Sequence, residues 1–203
     1  MKTYSKLLTV LFVIGLSILY SCNSRSNNTN DQTNDTSMAQ GDNTGMNHDM
    51  AMDDKAGTDA EALAWVMQVD NNEINAAQEA QKKKISQPVM GYAKMLEKEH
   101  SDNLQKTKDL SQSMSEMPAE TQAVEDLKAK GKDMLSSLSP KDGMDFEKGY
   151  IDAMVKGHTE ALSMLDNQLI PNAKIDALKN HLTETRQHVA MHLDRAKELQ
   201  GNM

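Results

Sequence analysis

Five histidines fall from residue 100 onward: His100, His158, His181, His188 and His192, several with carboxylates at helical spacing. Glu97 and Glu99 precede His100, and Glu184 lies between His181 and His188. Neutral imidazole and carboxylate are ligands for first-row transition ions, and Glu97 with His100 has the Glu-x-x-His spacing of carboxylate di-metal bundles. A sixth histidine sits in Met46-Asn47-His48-Asp49-Met50-Ala51-Met52. There, thioethers and an imidazole make a donor set suited to copper(I). The single Cys excludes an internal disulfide framework and a four-thiolate zinc site. No nucleophile stands beside a base, and there is no glycine-rich phosphate loop or cofactor fingerprint.

Such residues act together only if helices position them. Thr58, with Glu61 three residues on, is a capping box that opens a first helix. Its apolar face is Leu63, Val66, Ala77 and Ala80, with Asp70 and Glu73 on the same stripe. That helix is expected to end near Ile85 or Ser86, because Pro88 suits the first turn of the next. Val89, Tyr92, Leu96, His100, Leu104 and Leu110 share one face of the second helix. A weakly amphipathic stretch over 119–138 ends at Ser139-Pro140-Lys141-Asp142-Gly143. A long helix over 144–170 then carries Phe146, Tyr150, Met154, His158 and Leu165 inward. After Pro171 the last helix repeats Ile175, Leu178, Leu182, Thr185, Val189, His192, Ala196 and Leu199. The pattern predicts an all-α, ferritin-like four-helix bundle over 61–203, with a long helical connection between the second and third long helices.

Counting back from each hairpin loop sets side chains level. Glu73 and His100 lie level about 20 Å from the first turn. A second turn at Pro171 sets His158 level with Thr185, with Glu184 and His188 within one helical turn. The expected mid-bundle metal ligands are Glu73, His100, His158 and either His188 or His192. Glu97, Glu99, Tyr150 and Glu184 are expected to support them. A competing structural reading pairs Tyr150 with His192 in the core, because these two also come level. The scattered Met residues of the bundle read as core filler.

The chain has 203 residues, a formal charge of −8 and 3% aromatic residues, which disfavours nucleic-acid binding and large β-sheets. Lys2 and Lys6 precede an apolar run shorter than the about 20 residues of a membrane span, which reads as an export leader over 1–21. Leu19-Tyr20-Ser21-Cys22 resembles a bacterial lipobox, making Cys22 a lipidated N-terminus that anchors the protein in membrane. Asn23 after it favours the outer membrane of the cell envelope. Residues 23–60 contain no Leu, Ile, Val, Phe, Trp or Tyr. The linker 22–60 therefore reads as a disordered tether, with Met46, His48, Met50 and Met52 as a possible copper site.

Glu73-Ile74-Asn75-Ala76-Ala77, Tyr92-Ala93-Lys94-Met95-Leu96 with Glu99-His100, Asp145 to Tyr150 with His158, and His192 to Ala196 together resemble the bacterial domain-of-unknown-function family 4142. The resemblance covers nearly all of 59–200. It implies an exported or outer-membrane, ferritin-like helical protein with recurrent polar positions at Glu73, Glu99, His100, Tyr150, His158 and His192. This chain departs from the family at Glu99, where Asp is usual, and at His188, where an apolar residue is usual. Two functions follow: an envelope lipoprotein that binds copper, iron or zinc, or a non-catalytic lipoprotein whose buried His and Glu are structural. Catalysis has no positive signal.

Overall fold

The computed structural model describes residues 58–203. The leader, Cys22, nearly all of the linker and the Met46, His48, Met50 and Met52 donors lie outside the described residues. Five principal helices run Asp59–Gln81 (α1), Gln87–Met114 (α2), Gln122–Leu138 (α3), Gly143–Met164 (α4) and Asp176–Gly201 (α5). α1 and α2 form one antiparallel hairpin, α4 and α5 the other. α3 is the crossover and returns the chain along α1, so that α2 and α4 run parallel, as the ferritin-like reading requires. Among the described residues there is no strand.

The start of α1 is the expected capping box. Thr58 Oγ1 accepts from the Glu61 amide at 3.2 Å, and Glu61 Oε2 accepts from the Thr58 amide at 2.6 Å. α1 ends at Gln81, a turn earlier than its pattern suggested, because the next lysines are drawn elsewhere. Lys83 Nζ donates to the Ser139 carbonyl at 2.6 Å, and the Lys84 amide donates to Asp142 Oδ1 at 2.8 Å. The first hairpin loop is thereby tied to the α3–α4 junction.

α3 lies close on α1. Asn72 Nδ2 donates to the Leu127 carbonyl at 2.9 Å, and a Cβ at Gly131 would come within 2.3 Å of Asn72 Oδ1. Gly131 is thus the point at which the crossover helix can approach α1.

The second hairpin departs from expectation. α4 does not stop before Pro171 but continues through a π-helical turn, Leu165–Leu169, and a closing turn, Ile170–Asn172. Proline lacks an N–H and its ring crowds the carbonyl four residues back; a wider π turn just before it accommodates both effects. The hairpin loop therefore lies between Asn172 and Asp176, later than a turn at Pro171 would place it.

The core divides into two apolar clusters. One contains Ala77, Tyr92, Leu96, Phe146, Tyr150, Met154 and Leu199. The other contains Leu63, Trp65, Val66, Leu165, Leu178, Leu182 and Val189. Between them on every long helix stand buried polar residues: Asp70 and Glu73, His100, His158, and Thr185 and His192.

Asp59 latches the two hairpins at one end, its carboxylate accepting from the Lys174 and Ile175 amides at 2.9 and 3.1 Å. Asp59→Ala leaves both amides without that acceptor. It is expected to lower stability by about 1–3 kcal/mol in urea denaturation. An unchanged midpoint would show that the latch contributes nothing.

Candidate metal centre

α2, α4 and α5 each contribute one histidine to the middle of the bundle. His100, His158 and His192 are 4%, 2% and 2% exposed, and one ring nitrogen of each lies within 4.8 Å of the others. Ring centroids are 5.0 Å apart for His100 and His192, 5.4 Å for His158 and His192, and 6.0 Å for His100 and His158.

Each ring is held from outside by its other nitrogen. His158 Nδ1 donates to the Met154 carbonyl at 2.7 Å, one helical turn back. His192 Nε2 donates to Glu99 Oε2 at 2.8 Å. His100 Nδ1 is 2.8 Å from Asp70 Oδ1, while Asp70 Oδ2 accepts from Asn103 Nδ2 at 2.9 Å. The inward atoms, His100 Nε2, His158 Nε2 and His192 Nδ1, are buried without a hydrogen-bond partner. A carbonyl can only accept, so a neutral His158 carries its lone pair on Nε2; the carboxylate at Glu99 places that of His192 on Nδ1. The lone pairs of His158 and His192, from different helices, thus belong to one cluster in which a ring nitrogen of each histidine lies within 4.8 Å of the others.

Two more polar atoms are orphaned in this layer, Glu73 Oε2 and the Tyr150 hydroxyl. Glu73 lies against α4, its Oε1 3.5 Å from where a Cβ on Gly157 would stand. Its charge acts on His100, Tyr92 and Tyr150.

Outside the cluster the layer is closed by a relay. Thr185 Oγ1 donates to Asn103 Oδ1 at 3.0 Å, and Thr107 Oγ1 donates to the Asn103 carbonyl at 2.9 Å. Having spent its proton there, Thr107 accepts from His181 Nε2 at 2.8 Å. Asn103 is therefore the hub that fixes Asp70, and Tyr92 fixes α5 by donating to the His192 carbonyl at 3.0 Å.

Burial dominates the electrostatics. It holds His100 down to about 4 against the raising field of Glu73. Burial and the neighbouring His100 likewise hold His192 at about 4, against the pull of Glu99. Both rings are neutral at neutral pH, the form that ligates. Burial pushes Asp70 well above the usual carboxylate range despite the Asn103 hydrogen bond, and it raises the Tyr92 and Tyr150 phenols, with Glu73 adding to both. Partial burial works to raise Glu99, but the hydrogen bond from His192, helped by His188, leaves it below its ordinary value.

The structure thus brings together His100, His158 and His192, with Glu73, Glu99 and Tyr150 around them. It excludes His188 from the cluster: that ring is about half exposed, its Nδ1 3.4 Å from Glu99 Oε2. The face of α5 decides between them: His192 lies on the buried stripe with Thr185, Val189 and Ala196, and His188 lies off it. Glu97 is not a supporting residue; it lies on the exterior and accepts from Gln78 and Gln81 of α1 at 2.9 and 2.7 Å. Glu184 is exposed and pairs with none of the three histidines. The Tyr150–His192 hydrogen bond does not form, since the Tyr150 hydroxyl has no partner and His192 uses Glu99. Asn103, one turn after His100, and the Met154 carbonyl were not anticipated. Only the three-residue spacing of Asn103 from His100 hinted at its role.

The family model described as "Domain of unknown function (DUF4142)" matches residues 44–199. The chain belongs to this family. No curated protein and no solved structure matches it. In this DUF4142 member no helix among the described residues is long and apolar enough to cross a membrane.

The neutral imidazoles make stability depend on pH when ions are stripped by a chelator. His100 and His192 take up protons near 6.5 when unfolded but only near 4 when folded. The unfolded chain thus binds more protons across that interval, so stability falls as pH drops from about 6.5 to about 4. Asp70, protonated more readily in the fold, works in the opposite sense and offsets part of the loss. Urea midpoints over this range are expected to fall with pH and to flatten in His100→Gln and His192→Gln. A pH slope left unchanged by both substitutions would contradict the neutral buried rings.

Proposed function

We propose that this DUF4142 bundle binds one first-row transition ion, of the zinc, copper or iron class, through His100, His158 and His192. The observation that carries the reading is the set of three inward ring nitrogens, each buried and unpartnered, with the opposite nitrogens of His158 and His192 fixed by acceptors and that of His100 held by Asp70. Buried polar atoms without partners are rare, and three converging lone pairs are a cation's donor set. A tetrahedral ion about 2.0–2.1 Å from each nitrogen needs nitrogens about 3.4 Å apart, within reach of small ring rotations. Glu73 is the candidate additional anionic ligand. An ion beside His100 also accounts for Asp70, since its charge favours the carboxylate that burial alone disfavours.

The same proposal takes the chain to be an envelope lipoprotein. Lys2 and Lys6, the apolar run to Leu19 and the lipobox-like Leu19-Tyr20-Ser21-Cys22 support that placement. Met46, His48, Met50 and Met52 would bring copper to the bundle, and deleting residues 38–55 isolates their contribution.

Metal content of the purified full chain, followed by titration of the stripped protein with zinc, copper(II) and iron(II), tests the reading. One equivalent is expected, with stabilisation of about 2.7 kcal/mol at a hundredfold excess over Kd. His158→Gln should abolish both. His158→Leu separates the structural alternative: in a layer with no ligand, replacing an unsatisfied polar ring by an apolar side chain is neutral or stabilising. A His158→Leu protein at least as stable as metal-treated wild type, with no metal bound by wild type, overturns the proposal.

A further inference from the structure

The inward nitrogens are sealed from water, so an ion must reach them by some route. A cleft of about 350 Å³ between α2 and α5 has His100 and His192 in its wall and opens to solvent beside His188. The second large cleft, on the α1, α3 and α4 side, reaches Glu73 and Gly157 but none of the three histidines. The mouth of the first is acidic on balance: Glu99, Asp102, Asp109 and Glu184 line it with one cation, Lys106, and Asp102 is paired outside it with Lys98 at 2.6 Å. A wall of one sign raises the local concentration of ions of the other sign and their rate of capture.

One pair at this mouth has the chemistry of a ligand set. His188, about half exposed, stands with Nδ1 3.4 Å from Glu99 Oε2. The same oxygen accepts from His192 Nε2 at 2.8 Å. Glu99 is one-third exposed, whereas His192 is 2% exposed. A single carboxylate oxygen therefore links a solvent-facing imidazole to one of the buried cluster, and the His188 and His192 ring centroids are 6.5 Å apart.

We infer that Glu99 and His188 form an outer, transient binding position for a divalent transition ion, through which the buried histidine cluster is loaded and unloaded. The inference rests on the proposed metal-binding function and adds the path and the residues that control its rate. An ion taken from solvent exchanges part of its hydration for the His188 imidazole and the Glu99 carboxylate. It then lies one side chain from His192. Glu99 is the residue that must release His192 for the ion to pass, and His188 offers the carboxylate an alternative partner as it does so. His188 is thus a positioning residue for exchange and contributes little to the final affinity.

Cobalt(II) is the probe, because its visible absorption reports arrival among nitrogen ligands. The chelator-stripped full chain is mixed with cobalt(II) in a stopped-flow instrument, and loaded protein is separately challenged with excess chelator. His188→Ala, an exposed substitution with no effect expected on folding, should slow both loading and extraction by about tenfold or more. The equilibrium affinity should change by less than about threefold. His188→Asp, which restores a ligand at the mouth, should recover most of the rate. Loading and extraction rates equal to wild type in His188→Ala would overturn the loading route while leaving the buried site intact. Equal loss of rate and affinity would overturn it too, by making His188 a ligand of the final site. Wild type that takes up no cobalt, zinc, copper or iron would overturn the metal centre itself.

Discussion

Everything in the middle of this bundle depends on the pinning of three buried imidazoles by their outer nitrogens. A histidine in an apolar interior must satisfy two nitrogens, and here the protein satisfies one per ring. The outer partners differ in kind: a backbone carbonyl at His158, a one-third-exposed carboxylate at Glu99 and a deeply buried carboxyl at Asp70. All three have the same consequence, which is to turn the remaining nitrogen toward a common centre. Asp70 in turn needs Asn103, and Asn103 needs Thr185, so the orientation of His100 reaches through α2 to α5.

The apolar clusters on either side make this layer rigid. Tyr92, Leu96 and Met154 lie on one side, Val66, Ala161 and Val189 on the other, each one or two helical turns from a polar residue of the layer. Residues that close-pack hold their rotamers, so the layer cannot satisfy its nitrogens by collapse. A histidine at a bundle edge could turn to water; one between two packed clusters cannot. His188 shows the contrast, being one turn from His192 on α5 yet free to meet solvent.

Much of this was legible from spacing. The stripe of Val89, Tyr92, Leu96 and His100 is a buried face in the fold, as are Phe146 to Leu165 and Leu178 to Leu199, because a 3.6-residue period leaves little choice of which side chains face inward. What the pattern could not supply was register. Treating Pro171 as the hairpin turn was reasonable for a regular α-helix, but the π turn at Leu165–Leu169 lets the chain pass the proline and moves the loop. That shift moves the position level with His158 further along α5, and the buried stripe of Thr185, Val189 and His192 then takes His192 in place of His188. Glu97 failed for a different reason: Glu-x-x-His spacing puts the two residues on neighbouring positions, but only His100 falls on the inward stripe. Asn103 was missed because an amide at helical spacing is ordinarily a surface residue, and its role as a hub exists only once three helices are assembled.

The charge balance of the layer follows from the same arrangement. Asp70, Glu73 and Glu99 bring three carboxyl groups to the surroundings of three neutral rings, and no Lys or Arg is among the buried residues of the described chain. Burying carboxylates without a cation is unfavourable, and burial answers this at Asp70 by favouring the protonated form. On the proposed function, an ion held by His100 would favour an ionised Asp70, because it would strengthen the Nδ1–H donor that Asp70 faces. The acidic residue that sequence periodicity placed on an apolar face is thereby the one that orients His100, with Asn103 holding its other oxygen.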